Sequence, residues 1–192
     1  MIASLATKVR LLLAIAGLML VLQLANSLSG YSLNQWGLVP RQPSALAGIL
    51  LSPWLHGSWG HLLGNLMGLA ILGGLLLLRC RRDFWLASGA IVLGSGLLVW
   101  LLGRPGIHVG ASGWLFGLWA LLLGRAWFHR QLTDLLLAAL VLFFYGGWIF
   151  GLLPSQPGIS FEYHLAGALC GGLYAAFGPR PGITGRQRQQ PD

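Results

Sequence analysis

The sequence predicts an all-α polytopic membrane protein, a bundle of about six hydrophobic helices. Three observations predict it. Of 192 residues, 56% are hydrophobic and only 8% are charged, against roughly 25% charged in an ordinary soluble domain. Leu-rich runs near the roughly 17–25 residues that a helix needs to cross hydrocarbon recur from the beginning almost to the end. These runs show no sustained apolar–polar alternation, which disfavours barrel strands. Abundant Gly and nine Trp suit close helix packing and interfacial anchoring.

The first span covers roughly Val9 to Leu28, and a short, more polar loop with Asn34, Pro40, Arg41 and Pro43 follows. Lys8 and Arg10 precede this run in the manner of a signal peptide, but so many further runs follow that a retained span is the stronger reading. The second span begins near His61 and runs to Leu78, where Arg79, Arg81 and Arg82 stop it. The third covers roughly Phe84 to Leu102 and breaks at Arg104-Pro105-Gly106. The fourth, about Ala111 to Phe128, is short; the fifth runs from about Thr133 to Leu153, before Pro154 and Pro157. The sixth begins near Glu162 and ends by Gly178-Pro179. Residues 1–179 thus form one membrane domain, and residues 180–192, with Arg180, Arg186 and Arg188, a polar cytoplasmic tail. The fourth and sixth spans are marginal in length, and their polar N-terminal ends suggest that both start below the membrane surface.

Charge sets the orientation. Six spans put both termini on one side, with Lys8, Arg10, Arg79, Arg81, Arg82, Arg125, Arg130, Arg180, Arg186 and Arg188; only Arg41 and Arg104 lie on the other. By the positive-inside rule both termini are expected in the cytoplasm. The net charge of +8 is therefore topological. The cations form no long patch interleaved with polar residues, so a nucleic-acid partner is excluded. Cys80 and Cys170 imply no disulfide framework.

Glycines four apart (Gly64 and Gly68, Gly113 and Gly117, Gly167 and Gly171) predict close contacts among the second, fourth and sixth spans. The same three spans open on polar clusters: His56 to Asn65, Gly110 to Gly113, and Glu162-Tyr163-His164. The topology puts all three at the outward ends, where they can form one pocket.

In that pocket Ser112 is the candidate nucleophile and His164 the candidate base, since a serine hydroxyl is weak until a base takes its proton. Gly110 and Gly113 would give the serine backbone room. The plainer readings are a serine capping its helix and a packed histidine bonded to backbone. Glu162, two positions from His164, does not share its face, which suggests a dyad rather than a triad and places Glu162 at the wet mouth. Asn65 follows His61 by four residues, so the two share a face as candidate oxyanion donors; one such donor is worth about 2.7–4 kcal/mol in a soluble protease. Alternatively Asn65 joins two helices. His56 caps or supports the second span. Phe116 lies one turn below Ser112 and either holds the His164 ring or serves as a core aromatic. A metal site on His56, His61 and His164 is the competing chemistry, but it leaves the glycine setting of Ser112 unexplained. The reading is of no metal and no cofactor.

These residues resemble the rhomboid family of intramembrane serine proteases, which have a six-helix core. The second core helix of that family carries a His, a second His five positions on and an Asn four beyond, here His56, His61 and Asn65. Its fourth helix opens on Gly-x-Ser-Gly, here Gly110 to Gly113, and its sixth carries the base histidine followed by glycines at three and seven, here His164, Gly167 and Gly171. The resemblance covers essentially the whole chain. It departs at Phe116, where rhomboids commonly have Tyr, and in the first outward loop, which lacks the common Trp-Arg pair. The compact length and short first loop resemble the bacterial rhombosortase branch, whose members are thought to process C-terminal Gly-Gly-containing membrane anchors. The resemblance implies transmembrane protein substrates, residence in the bacterial inner membrane and a site opening to the periplasmic or extracellular side. A non-catalytic relative that binds membrane clients, and a small transporter, are the rivals. The first would lack Ser112 or His164. The second would distribute polar residues on both sides of the midplane and show internal repeats; neither is evident, and paired charges along a passage are absent.

Overall fold

The computed structural model describes residues 2–154 and 159–179. Pro157, the tail assigned to residues 180–192, and Arg180, Arg186 and Arg188 within it lie outside the described residues. Among the described residues the chain is all-helical, with one isolated β-bridge between Leu38 and His108. The six long helices are α1 (Ile2–Leu28), α2 (Trp59–Gly68, continued by a π-helical turn over Leu69–Gly73 and by Gly74–Arg79), α3 (Arg81–Leu102), α4 (Ser112–His129), α5 (Leu132–Tyr145, prolonged by 3-10 turns over Gly146–Leu152) and α6 (Phe161–Phe177).

Four stretches are long and apolar enough to cross a bilayer unaided: Leu5–Leu28, Trp59–Arg79, Arg81–Leu102 and Leu132–Leu152. The protein is thus an integral membrane protein. α4 has 18 residues and α6 has 17, about 25–27 Å at 1.5 Å per residue, slightly less than the ~30 Å hydrocarbon layer. Their positions explain how they manage. α4 is central, with Leu115, Leu118 and Leu121 fully buried, and it packs most extensively against α6. Protein rather than lipid solvates it. By contrast only 11% of the apolar window of α5 is buried, against 50% for α2, so α5 lies at the periphery.

Missing side chains set the closeness of α4 and α6. A Cβ on Gly167 would strike the carbonyl oxygen of Gly113, and one on Gly171 that of Gly117. Backbone meets backbone at two successive turns, as small residues permit. The second span contributes less than the glycine spacing predicts. Gly68 faces the side chains of Leu115 and Trp148, and nothing lies within 4 Å of the Cβ position of Gly64. Gly64 therefore belongs to no close helix contact; glycine spacing marks a possible face, but the neighbour decides whether it is used.

Two further expectations are corrected. The first loop, residues 29–58, is neither short nor simply polar. It folds into 3-10 turns at Ser32–Trp36, Pro43–Ala45 and Ser52–Trp54 and a short helix at Gly48–Leu51, and Leu38, Ser52 and His56 are buried in it. Its apolar stretches are too short to signal a span, yet long enough to pack. A Cβ on Gly48 would lie 2.6 Å from the Gly37 carbonyl oxygen, so the loop crosses itself at a glycine. Second, paired charges are not evident in the sequence, yet Arg125, inside the fourth span and counted with the cytoplasmic cations, has a partner. It is 1% exposed and pairs with Asp83 of α3 through two bonds of 2.7 Å, and the Tyr174 hydroxyl lies 3.4 Å from Asp83. Arg79 pairs with Asp134. Paired charges are therefore present, at the end of the bundle remote from Ser112; a guanidinium near a helix end escapes the hydrocarbon penalty by pairing.

Candidate active site

Ser112 is the first residue of α4 and is half-buried. Gly110, two residues earlier, has φ +116°, a conformation that glycine adopts without penalty and other residues resist. Its N–H donates to the Ser52 carbonyl at 2.8 Å, so the segment entering α4 is pinned to the first loop. α6 is capped by Ser160, whose oxygen accepts the Tyr163 N–H at 3.3 Å, and this starts the helix one turn before His164.

The structure brings Ser112 and His164 together. Ser112 Oγ lies 2.9 Å from His164 Nε2, and His164 Nδ1 lies 2.9 Å from the Gly151 carbonyl oxygen. A carbonyl oxygen only accepts, so in the neutral ring the proton sits on Nδ1. Nε2 is then the free lone pair, facing the serine hydroxyl. His164 is 8% exposed. Phe116 stacks on its ring at 4.1 Å between centroids and 9° between planes. Trp148 stacks on Phe116 at 4.8 Å and 25°, and Tyr145 meets Trp148 edge-on at 5.0 Å. A cavity of about 290 Å³ adjoins these groups, lined in part by Phe116, Trp148, Gly151, Ile159 and His164.

His61 and Asn65 approach from α2. A Cβ on Gly110 would lie 2.6 Å from His61 Nε2 and 3.6 Å from Asn65 Nδ2. Asn65 is 6% exposed, and its Nδ2 has no hydrogen-bond partner among the described residues. A buried donor without a partner calls for an explanation. His56 is fully buried and meets the His61 ring edge-on at 5.1 Å. Burial, seconded by the nearby charge of His61, lowers its pKa to about 4, so its ring is neutral at physiological pH. Gly113 meets the Tyr163 ring, and Gly167 and Gly171 lie in the α4–α6 contact; these three set helix spacing rather than line the reacting groups. Glu162 pairs with Arg104. His164 is oriented instead by a backbone carbonyl.

Gly151, Trp148 and His108 belong to this region without a signal in the sequence. Gly151 acts through its main chain, which any residue possesses. Trp148 is one of nine tryptophans. His108 is isolated in sequence, yet it is 7% exposed and bonded to Ser160 at 2.6 Å.

Comparison with known proteins agrees with the architecture. A rhomboid domain model matches residues 43–180. An uncharacterized protein of Mycobacterium tuberculosis is 36% identical over 169 residues, covering 83% of this chain and 70% of its own length. An uncharacterized protein of Mycobacterium leprae is 34% identical over 169 residues, 83% of this chain and 67% of its own. The chloroplastic rhomboid-like protein 11 of Arabidopsis thaliana is 33% identical over 131 residues, 60% of this chain and 46% of its own. A helical membrane bundle whose domain match spans everything from the first loop through α6 has one place among protein families: the chain belongs to the rhomboid family.

Proposed function

We propose that the chain is an intramembrane serine endopeptidase that cleaves a peptide bond in or near the transmembrane anchor of a membrane protein. One observation carries this reading: Ser112 Oγ faces His164 Nε2 at 2.9 Å while Nδ1 donates to the Gly151 carbonyl. Nucleophile, base and orienting acceptor are thus in the relation that nucleophilic catalysis needs. Ser112 Oγ attacks the substrate carbonyl carbon as Nε2 takes its proton. The oxyanion is received by Asn65, His61 and the Ser112 N–H. Collapse breaks the C–N bond, and the imidazolium returns the proton to the departing amine. Water then attacks the acyl-enzyme by the same route. The orphaned Nδ2 of Asn65 suits a donor whose acceptor forms only during reaction.

The charge distribution supports cytoplasmic termini and a site opening toward the periplasmic or extracellular side of a bacterial inner membrane. Resemblance to the rhombosortase branch suggests as substrate a protein with a C-terminal Gly-Gly-containing membrane-anchor signal, whose weak helical propensity would expose the scissile bond.

The test is cleavage of such an anchored substrate, and of one with an unrelated anchor, by the reconstituted protein. Ser112→Ala and His164→Ala are expected to lower kcat by about 10³-fold or more. Equal cleavage by wild type and both variants would sink the dyad. Substrate bound but left intact by the wild type would favour a non-catalytic client-binding role.

A further inference from the structure

The segment joining α3 to α4 carries one buried histidine that the reaction above does not use. His108 is 7% exposed. Its main chain is pinned to the first loop, with the His108 N–H bonded to the Leu38 carbonyl at 2.8 Å and the Leu38 N–H to the His108 carbonyl at 3.0 Å. Its ring bridges two other elements. Nε2 lies 3.0 Å from the Arg104 carbonyl, and Nδ1 lies 2.6 Å from Ser160 Oγ. The carbonyl accepts, so in the neutral ring Nε2 carries the proton and Nδ1 takes the Ser160 hydroxyl proton. Ser160 keeps a lone pair for the Tyr163 N–H, its capping bond to α6.

The register gives this bond its meaning. His108 stands four residues before Ser112, and Ser160 four before His164. A single side-chain bond therefore ties the two reacting segments together, just outside the Oγ–Nε2 contact. The Arg104–Glu162 pair spans the same gap, but the Arg104 side chain is 62% exposed, and water and salt screen an exposed ion pair. The His108–Ser160 bond, whose imidazole is buried, is the stronger constraint.

We propose that His108 is a positioning residue: through Ser160 it holds the nucleophile segment and the base helix at the spacing in which the Ser112–His164 bond forms. The proposal rests on the dyad reading. A displacement of the order of 1 Å at such a contact is worth about 10²-fold in rate, whereas a purely architectural residue would change stability and leave the rate of folded protein alone.

The experiment uses the full chain in liposomes, with two readouts: kcat and KM on the anchored substrate, and the rate at which a fluorophosphonate labels Ser112. His108→Ala and Ser160→Ala are each expected to lower kcat and labelling about 10–100-fold with KM unchanged. The double variant falls no further than either single one, because both remove the same link. His108→Asn, whose amide oxygen can accept the Ser160 hydroxyl, returns the rate to within about threefold of wild type. Labelling of His108→Ala at the wild-type rate overturns the proposal, and so do losses that multiply in the double variant or a rise in KM alone. If His108→Ala does not fold, the comparison of His108→Asn with Ser160→Ala decides in the same way. A dyad failure looks different: the wild type itself is then neither labelled nor active, which overturns both readings.

Discussion

His164 is held on three sides by groups that differ in kind: a hydroxyl at Nε2, a carbonyl at Nδ1 and an aromatic face. Each makes a separate prediction. Phe116→Tyr keeps the ring face and is expected to leave kcat within about threefold, while Phe116→Ala, which frees the imidazole to rotate, lowers it about tenfold or more. Gly151→Ala leaves the carbonyl in place but puts a methyl 2.7 Å from Phe116 Cζ; steady-state kinetics should show a kcat loss similar to Phe116→Ala. Asn65→Ala removes the orphaned donor and is expected to lower kcat about 10²–10³-fold with little change in KM. A loss confined to KM would instead assign Asn65 to substrate binding. At this scale the sequence was informative about placement where a side chain stands at a fixed spacing: Ser112 and His164 meet, and His61 and Asn65 lie beside Gly110. It was silent on Gly151, because a main-chain acceptor has no residue identity. His108 also went unread: its partner Ser160 is 52 positions away and neither stands in a motif.

Among the helices, the contact of α4 with α6 is the one least tolerant of added atoms. Gly167→Ala or Gly171→Ala would drive a methyl into the facing main chain, and neither carbonyl can rotate away. Overpacking of this kind costs about 1–3 kcal/mol or more, which thermal unfolding in detergent would register. Gly64→Ala and Gly172→Ala meet nothing within 4 Å and are expected to be neutral or slightly stabilising, since Ala is the better helix former by about 1 kcal/mol. A destabilised Gly64→Ala would mean that α2 has a neighbour there after all. Hydrophobic run length located five of the six long helices to within three residues at each end, because lipid enforces length; α1 instead begins at Ile2, seven residues before the expected Val9, because a helix can continue past the apolar run that signals it. The same criterion failed on residues 29–58, where apolar stretches of a few residues pack as turns. Glycine spacing identified the α4–α6 contact but also marked Gly64, since spacing specifies a face and not what lies opposite.

For the bundle as a whole, the polar groups separate by depth. The Ser112 cluster occupies one end and the Asp83–Arg125 pair the other. Asp83→Ala strands a buried guanidinium and is expected to destabilise the protein by about 3–5 kcal/mol, while an Asp83→Leu/Arg125→Leu double variant recovers most of the loss; denaturant titration in micelles separates the two. With Cys80 and Cys170 replaced by Ser, an impermeant maleimide applied to intact cells should label Pro105→Cys and spare Arg81→Cys. The reverse pattern would invert the proposed topology. The shortness of α4 has a further consequence. An 18-residue helix is about 3 Å shorter than the ~30 Å hydrocarbon layer, so if its last turn meets the cytoplasmic boundary, Ser112 sits at a fixed depth below the opposite one. On the proposed function, the protein would then work as a ruler, measuring its substrate inward from the membrane surface. Lengthening a client's anchor by one helical turn, about 5.4 Å, on the outward side of the cut should shift cleavage by three or four residues, to whichever bond now lies at that depth, as mass spectrometry of the products would reveal.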